Sequence, residues 1–366
     1  MRPIVILLAV IFGTITSCKE LYDPKIDIVE TPLVVDGLIT DQAKPYSIKL
    51  TKALPFNNSS TDNYTKEYTG VSEAKVTVSD DAGNTYNFTE SDTEGVYKSN
   101  PAEFVGVPGR YYTLHIRTID NIEYQSAPQL LLPNDFKVDV SAEFGTRDQL
   151  VLDSWGAYNK ETVQGTNIFF DIENNEDTLI RFRFDHRITT QWVIPTIPQP
   201  THGWDTWPNA DLINMTDNYT TSTNNIVKKN VCFVPTNNNK VIITKEWVGP
   251  PGTDKIMFDK FVERFVIRII QYRLNNETFL YYKNISTILS ANGNIFDPIP
   301  WQVKGNMKCI SDNTVGVLGY FEASSARYSY YALKPFSKIL KYVKSYEPPT
   351  DYGILGEIVP DWWVSD

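Results

Sequence analysis

The sequence is short of the side chains that do most protein chemistry. Of 366 residues only three are histidine, His115, His186 and His202, and none stands at ligand spacing from another or from a cysteine. A His-Glu-x-x-His helix, a Gly-x-Ser-x-Gly elbow and a glycine-rich phosphate loop are missing, which removes the common metalloprotease, serine-hydrolase and nucleotide-binding templates. The three cysteines, Cys18, Cys232 and Cys309, are far apart in sequence and lack the spacing of a zinc site. No metal and no cofactor is implied. Lys and Arg number 34 against 44 Asp and Glu, a net charge of −10, and the cations form no run. Nucleic acid, which is held through its phosphates by clustered cations, is therefore not expected as a partner. The apolar stretch over residues 4–12 is too short for a bilayer span, which needs ~20 residues.

That short stretch has another use. With Arg2 ahead of it, it has the charge and length of a signal peptide. The residues that follow, Ile15-Thr16-Ser17-Cys18, resemble the lipobox of bacterial lipoproteins, with small residues at the cut and a cysteine just after it. A thiol is needed there because it is the nucleophile that takes the diacylglycerol. The expectation is a signal peptide over 1–17, lipidation of Cys18, and a tether over 18–30 in which Pro24 breaks any helix. Each buried methylene of such an anchor adds roughly 0.8 kcal/mol, so two or three acyl chains hold stably. The Lys19-Glu20 pair resembles a short export signal to the outer face. The localisation expected is therefore the outer membrane, with the body at the cell surface and the periplasmic face as the alternative. Once Cys18 is acylated, Cys232 and Cys309 remain as an even pair, which an oxidising compartment is expected to bridge; two buried free thiols are the alternative.

Between about residues 31 and 133 the chain reads as short β segments. Leu33 to Ile39, Tyr46 to Leu50 and Ala74 to Ser79 alternate or run apolar. Asp80-Asp81-Ala82-Gly83-Asn84 is a hairpin turn in which Gly83 can take positive φ. About seven strands in such a length predict an Ig-like or transthyretin-like β-sandwich. Residues 134–366 predict a larger β-rich domain with longer alternating strands and one packed helix over about 276–291, capped by Asn275 or Asn276 and stopped near Asn292-Gly293. Residues 194–230, dense in Pro, Asn and Thr, read as a long irregular loop, a length uncommon unless functional or disordered, and its aromatics favour a contact role. The fold class expected is mostly β.

Chemistry is sparse. His115 lies in a tyrosine-rich strand and reads as a hydrogen-bonded sheet residue. The ligand- or partner-contact candidates are His202, Trp204, Asp205 and Trp207 in the long loop, where tryptophans serve protein interfaces as readily as sugars. His202 with Asp205 and Asp211 is the one constellation on which a hydrolase could rest; no catalytic residue is assigned.

Three blocks carry a family resemblance. They are Leu33-Val34-Val35-Asp36-Gly37-Leu38-Ile39-Thr40; Asn292-Gly293-Asn294-Ile295-Phe296-Asp297-Pro298-Ile299-Pro300 with Val303-Lys304-Gly305-Asn306; and Val317-Leu318-Gly319-Tyr320-Phe321-Glu322-Ala323-Ser324-Ser325. Together they resemble the domain-of-unknown-function family numbered four-two-four-nine, over nearly the whole chain after Cys18. That resemblance implies an outer-membrane lipoprotein of Bacteroidota, found beside TonB-dependent receptors of the SusC type. The function expected is a non-enzymatic accessory subunit of a nutrient-uptake system. A stand-alone glycan- or peptide-binding surface lipoprotein is the alternative.

Overall fold

The structure, a computed structural model, describes residues 32–53, 68–152, 158–175, 178–194, 201–207, 213–219, 224–235, 245–247, 256–258, 261–290, 303–333 and 341–342. The expected signal peptide, Cys18, its tether, Asp211 and the 292–300 block lie outside the described residues. In chain order the strands begin β1 (Leu33–Ile39), β2 (Ser47–Ala53), β3 (Tyr68–Gly70), β4 (Lys75–Asp80), β5 (Thr85–Glu90), β6 (Val96–Ser99), β7 (Tyr111–Arg117), β8 (Glu123–Ser126) and β9 (Gln129–Leu130). They continue as β10 (Val138–Leu152), β11 (Tyr158–Ile172), β12 (Arg181–Ile194), β13 (Thr201–Trp207), β14 (Asn214–Asp217), β15 (Ile226–Pro235), β16 (Lys245–Trp247), β17 (Ile256–Phe258) and β18 (Phe261–Arg273). A helix, α1 (Asn276–Leu289), precedes β19 (Met307–Cys309), β20 (Val317–Ala323), β21 (Ala326–Leu333) and β22 (Lys341–Tyr342). The chain is mostly β with one helix, as its patterning predicts. Among the described residues no helix is long and apolar enough to cross a membrane.

The first body is one continuous sheet in the order β19-β8-β7-β4-β5-β6-β2-β1-β20, with β3 on β2 and β9 on β7. Period-two alternation builds it: along β1, Leu33, Val35, Gly37 and Ile39 point to the core, and Val76, Val78, Leu114 and Ile116 do so from β4 and β7. Phe104 sits among Tyr46, Tyr86, Phe88 and Tyr112, with ring centroids 4.2 to 6.1 Å away. The expectation of a sandwich closed by residues 31–133 alone is corrected here. The sheet is completed by β19, antiparallel to β8, and by β20, parallel to β1 in the register Leu33↔Val317 to Ile39↔Ala323. A three-residue strand pairing across 180 positions has no local signature.

The two ends of this sheet meet. The Asn306 side chain takes the place of a ladder partner: its Nδ2 donates to Phe321 O at 2.7 Å and its Oδ1 accepts from Phe321 N at 2.9 Å. Ala127 N donates to Asn306 O at 2.7 Å, so one asparagine ties β8 to β20. The backbones come close enough here that glycine is required. A Cβ on Gly319, whose φ is +90°, would lie 1.8 Å from Val35 O, and one on Gly305 would lie 1.6 Å from Gly319 O.

The second body packs the sheet β10-β11-β15 on the sheet β13-β12-β18-β21-β22, with β14 also on β12. Ile168, Phe170 and Ile172 of β11 meet Phe182 and Phe184 of β12 and Ile267 and Ile269 of β18. Phe170 sets its edge against Phe184 at 5.7 Å and Tyr331 at 6.3 Å. The long irregular loop expected over 194–230 is corrected. Residues 201–207 form a hairpin arm on β12, 214–217 a second strand on β12, and 226–235 a strand on β11. Asn and Thr clusters read as loop by composition, and strand pairing, local for β13 and longer-range for β14 and β15, overrode that preference.

The β4–β5 turn closes as its residues predict, with Gly83 at φ +88°. Asp80 organises it, accepting from Ala82 N, Asn84 N, Asn84 Nδ2, Tyr86 OH and Arg110 Nη1, the last at 2.6 Å. Only 1 % of the Asp80 side chain is accessible. Desolvation opposes its ionisation, but the bonds from Asn84 and Arg110 outweigh it and lower its pKa to about 2. A carboxyl with a depressed folded pKa stabilises above its unfolded value and loses that contribution as the pH falls through the folded one. Chemical denaturation between pH 5 and pH 2 should therefore show about 1–2 kcal/mol lost below pH 4 from this site, after allowing for solvent screening near the surface. The variant Asp80→Asn should be less stable at neutral pH and lack that part of the slope. A second comparison tests the sheet closure. Gly83→Ala, in open space, should cost about 1 kcal/mol of backbone strain, whereas Gly319→Ala must also displace β1 and should cost at least about 3 kcal/mol.

Candidate functional site: the helix junction and its groove

The helix starts where its sequence says. Asn275 is extended (φ −76°, ψ 172°) and its side chain accepts from Thr278 N at 2.8 Å, with Glu277 in the first turn and Ser290 as C-cap. The cap has a second role. Asn275 Nδ2 donates to Gln129 Oε1 at 3.1 Å, and Tyr320 OH and Thr278 Oγ1 donate to the same oxygen at 3.1 and 3.3 Å. Gln129 is fully buried. One amide of the first body thus fixes the helix N-terminus.

A second anchor lies along the same helix. Arg183, on the β12 face turned away from the second core, bonds Glu322 of β20 at 3.1 and 3.3 Å. Tyr282 of α1 donates to Glu322 Oε2 at 2.6 Å. The guanidinium lies between two rings, Tyr272 at 4.3 Å and Tyr282 at 4.7 Å. Side-chain accessibility is 15 % for Arg183 and 1 % for Glu322. Burial works against the charge on Arg183, yet the Glu322 carboxylate more than offsets it and raises the guanidinium pKa. Burial, with Glu322 adding to it, holds the Tyr282 phenol well above its ordinary value and therefore neutral. Asp36 of β1 borders the cluster. Its residue surface stays exposed, but protein crowds the carboxyl on one side, and this desolvation, opposed by Lys49 and reinforced by Glu322, raises its pKa. The network joins a strand of each body to the helix between them.

Beside this junction runs a groove of about 570 Å³. Glu277, Leu280, Tyr281 and Asn284 of α1 line it at the i, i+3, i+4, i+7 spacing of one helix face. Lys304, Gly305, Asn306, Met307 and Lys308 line the opposite side, where the sheet closes. Tyr281 stacks on Tyr320 at 4.3 Å, and Leu280 is 48 % exposed.

The residues nominated from sequence are not gathered into this site. His202, Trp204, Asp205 and Trp207 lie in β13, opposite Val193, Gln191, Thr190 and Ile188 of β12; their side chains are outside the described residues. The expected Cys232–Cys309 disulfide is corrected: the two cysteines are not bridged to each other, and both are buried, Cys232 in the core of the second body and Cys309 in that of the first. An even count constrains redox state, not position. His115 bonds Ser79 Oγ at 3.0 Å on the outer face of its sheet, and desolvation lowers its pKa. Among the described residues no group of three His, Cys, Asp or Glu is placed to hold a metal. Arg183, Glu322, Tyr282 and Gln129 went unread in the sequence. Part of the signal was there, because Asp36, Gly305-Asn306 and Gly319 to Glu322 belong to the blocks that carry the family resemblance, and they converge at this junction.

Two β bodies locked by one helix define the class of architecture, and the comparisons place the chain within a family. The chain belongs to the family described as Domain of unknown function (DUF4249), which matches residues 19–329. Comparison with curated proteins and with solved structures finds no match.

The junction makes its own prediction. Glu322→Gln leaves a buried guanidinium without its counter-charge and should destabilise by about 3–5 kcal/mol, while Tyr282→Phe, which removes one bond to the carboxylate, should cost about 1–2 kcal/mol. Urea unfolding of the two variants checks the order. Equal and small losses would mean that the pair is solvated.

Proposed function

We propose that the chain is a non-enzymatic outer-membrane lipoprotein that serves as an accessory subunit of a TonB-dependent, SusC-type nutrient-uptake system. The observation that carries this reading is the lipobox-like Ile15-Thr16-Ser17-Cys18 so close to the folded body. About fourteen residues separate Cys18 from β1, a reach of at most ~50 Å. A body held that near a membrane meets embedded partners far more often than diffusible ones, and the Lys19-Glu20 pair favours the outer face. The chemistry of the body supports a scaffold. Asp80, Arg183 and Glu322, its most strongly engaged ionisable groups among the described residues, are each committed to structural bonds.

The test is co-purification of the tagged full chain from detergent-solubilised outer membranes. A TonB-dependent transporter should be recovered in roughly equal amount with the wild type. The variant Cys18→Ala should leave the membrane fraction and lose it. Recovery of the lipidated chain with no transporter would overturn the proposal, and protection of the body from protease added to intact cells would move it to the periplasmic face.

A further inference from the structure

The groove beside α1 has more to offer a ligand than structure requires of it. On the packed side of the helix Thr278 and Phe279 are buried, and Tyr282 is locked on Glu322. The stripe Glu277, Leu280, Tyr281 and Asn284 lines the helix side of the groove, and it leaves a leucine half exposed beside a pair of stacked tyrosines. Across from it stand Lys304 and Lys308, both exposed, and neither pairs with an acid among the described residues. Both sides are already rigid. Asn306 clamps the strand side to Phe321, and Gln129 pins Tyr320 and the helix cap. A site whose walls do not have to be ordered on binding keeps most of its interaction energy.

We infer that this groove docks a short acidic polypeptide segment of a protein partner, one that places a leucine-type or aromatic side chain against Leu280 and the tyrosines and carboxylates against Lys304 and Lys308. The inference rests on the accessory-subunit reading only for the identity of the protein that supplies the segment. Charge complementarity selects the segment's sign. A chain of net charge −10 repels anionic segments over most of its surface, so two ammonium groups that pair with no acid among the described residues, beside an apolar strip, mark a place that accepts one. The stripe at i, i+3, i+4, i+7 supplies the shape, as in grooves that take apolar anchors from a partner segment. An anionic bilayer surface fits less well, because lipid attraction grows with broad basic clusters and this groove holds two lysines flanked by Glu277.

The experiment is selection of a phage-displayed twelve-residue peptide library on the detergent-solubilised full chain, followed by fluorescence anisotropy of the enriched peptides. The expected peptides combine Asp or Glu with Leu, Phe or Tyr. Their binding should weaken with added salt and fall at least tenfold in Lys304→Glu/Lys308→Glu and again in Leu280→Asp. The two lysines are exposed, so the first variant should keep the wild-type unfolding midpoint and stands as the test if Leu280→Asp folds poorly. Enrichment of no peptide, of peptides without acidic residues, or of peptides that bind the lysine variant equally well would overturn the inference. So would lysine-dependent binding of glycerol phosphate with no peptide selected, which would assign the groove to a lipid headgroup. None of these outcomes depends on whether a transporter co-purifies.

Discussion

The Arg183–Glu322 pair is the constraint on which the arrangement of this molecule depends. Its two members come from different bodies, β12 of the second and β20 of the first, and neither charge is tolerable in that position without the other. Two charges removed from water gain little net stability, but they demand geometry. The guanidinium must lie between the Tyr272 and Tyr282 rings, and the carboxylate must accept from Tyr282 as well as from Arg183. Together these contacts hold α1 against a strand of each body. An apolar junction of the same area would hold the bodies together without dictating their register.

The closure of the first sheet works with that constraint. β20 bears Glu322 on one face and Phe321 on the other, so the strand that carries the buried charge is also the one that Asn306 ties to β8. Gly305 and Gly319 permit the backbones to approach at this seam, and Gln129 connects the seam side of the body to the helix cap through Tyr320, Thr278 and Asn275. The groove is a by-product of these locks. Its walls are the two elements that the closure and the ion pair hold in place, which is why an exposed leucine and two exposed lysines can be presented there in a fixed geometry.

Much of the local structure was legible. Alternation in Arg181-Phe182-Arg183-Phe184-Asp185 correctly gives a strand, Asn275 before an apolar period gives the capped helix, and Asp80 to Asn84 gives the hairpin. What pattern cannot give is which polar face is wet. Arg181 and Arg183 read as solvent-facing, and α1 covers that face, placing Arg181 over Phe279 and Arg183 on Glu322. Composition reads β13, β14 and the start of β15 as a loop although each pairs in a sheet, and an even cysteine count joins Cys232 and Cys309 although separate cores hold them. Asp36, Asn306, Gly319 and Glu322 lay in the blocks that marked the family. Their role was hidden because it exists only where segments nearly 300 residues apart converge.

If the ion pair couples the two bodies, they must unfold together. Native-state hydrogen exchange, read separately on buried amides of β4 and β7 in the first core and of β11 and β18 in the second, measures this directly. One opening free energy shared by both sets in the wild type, and split into two in Arg183→Leu/Glu322→Leu, is the predicted result. Two different free energies already present in the wild type, left unchanged by the double substitution, would contradict the coupling.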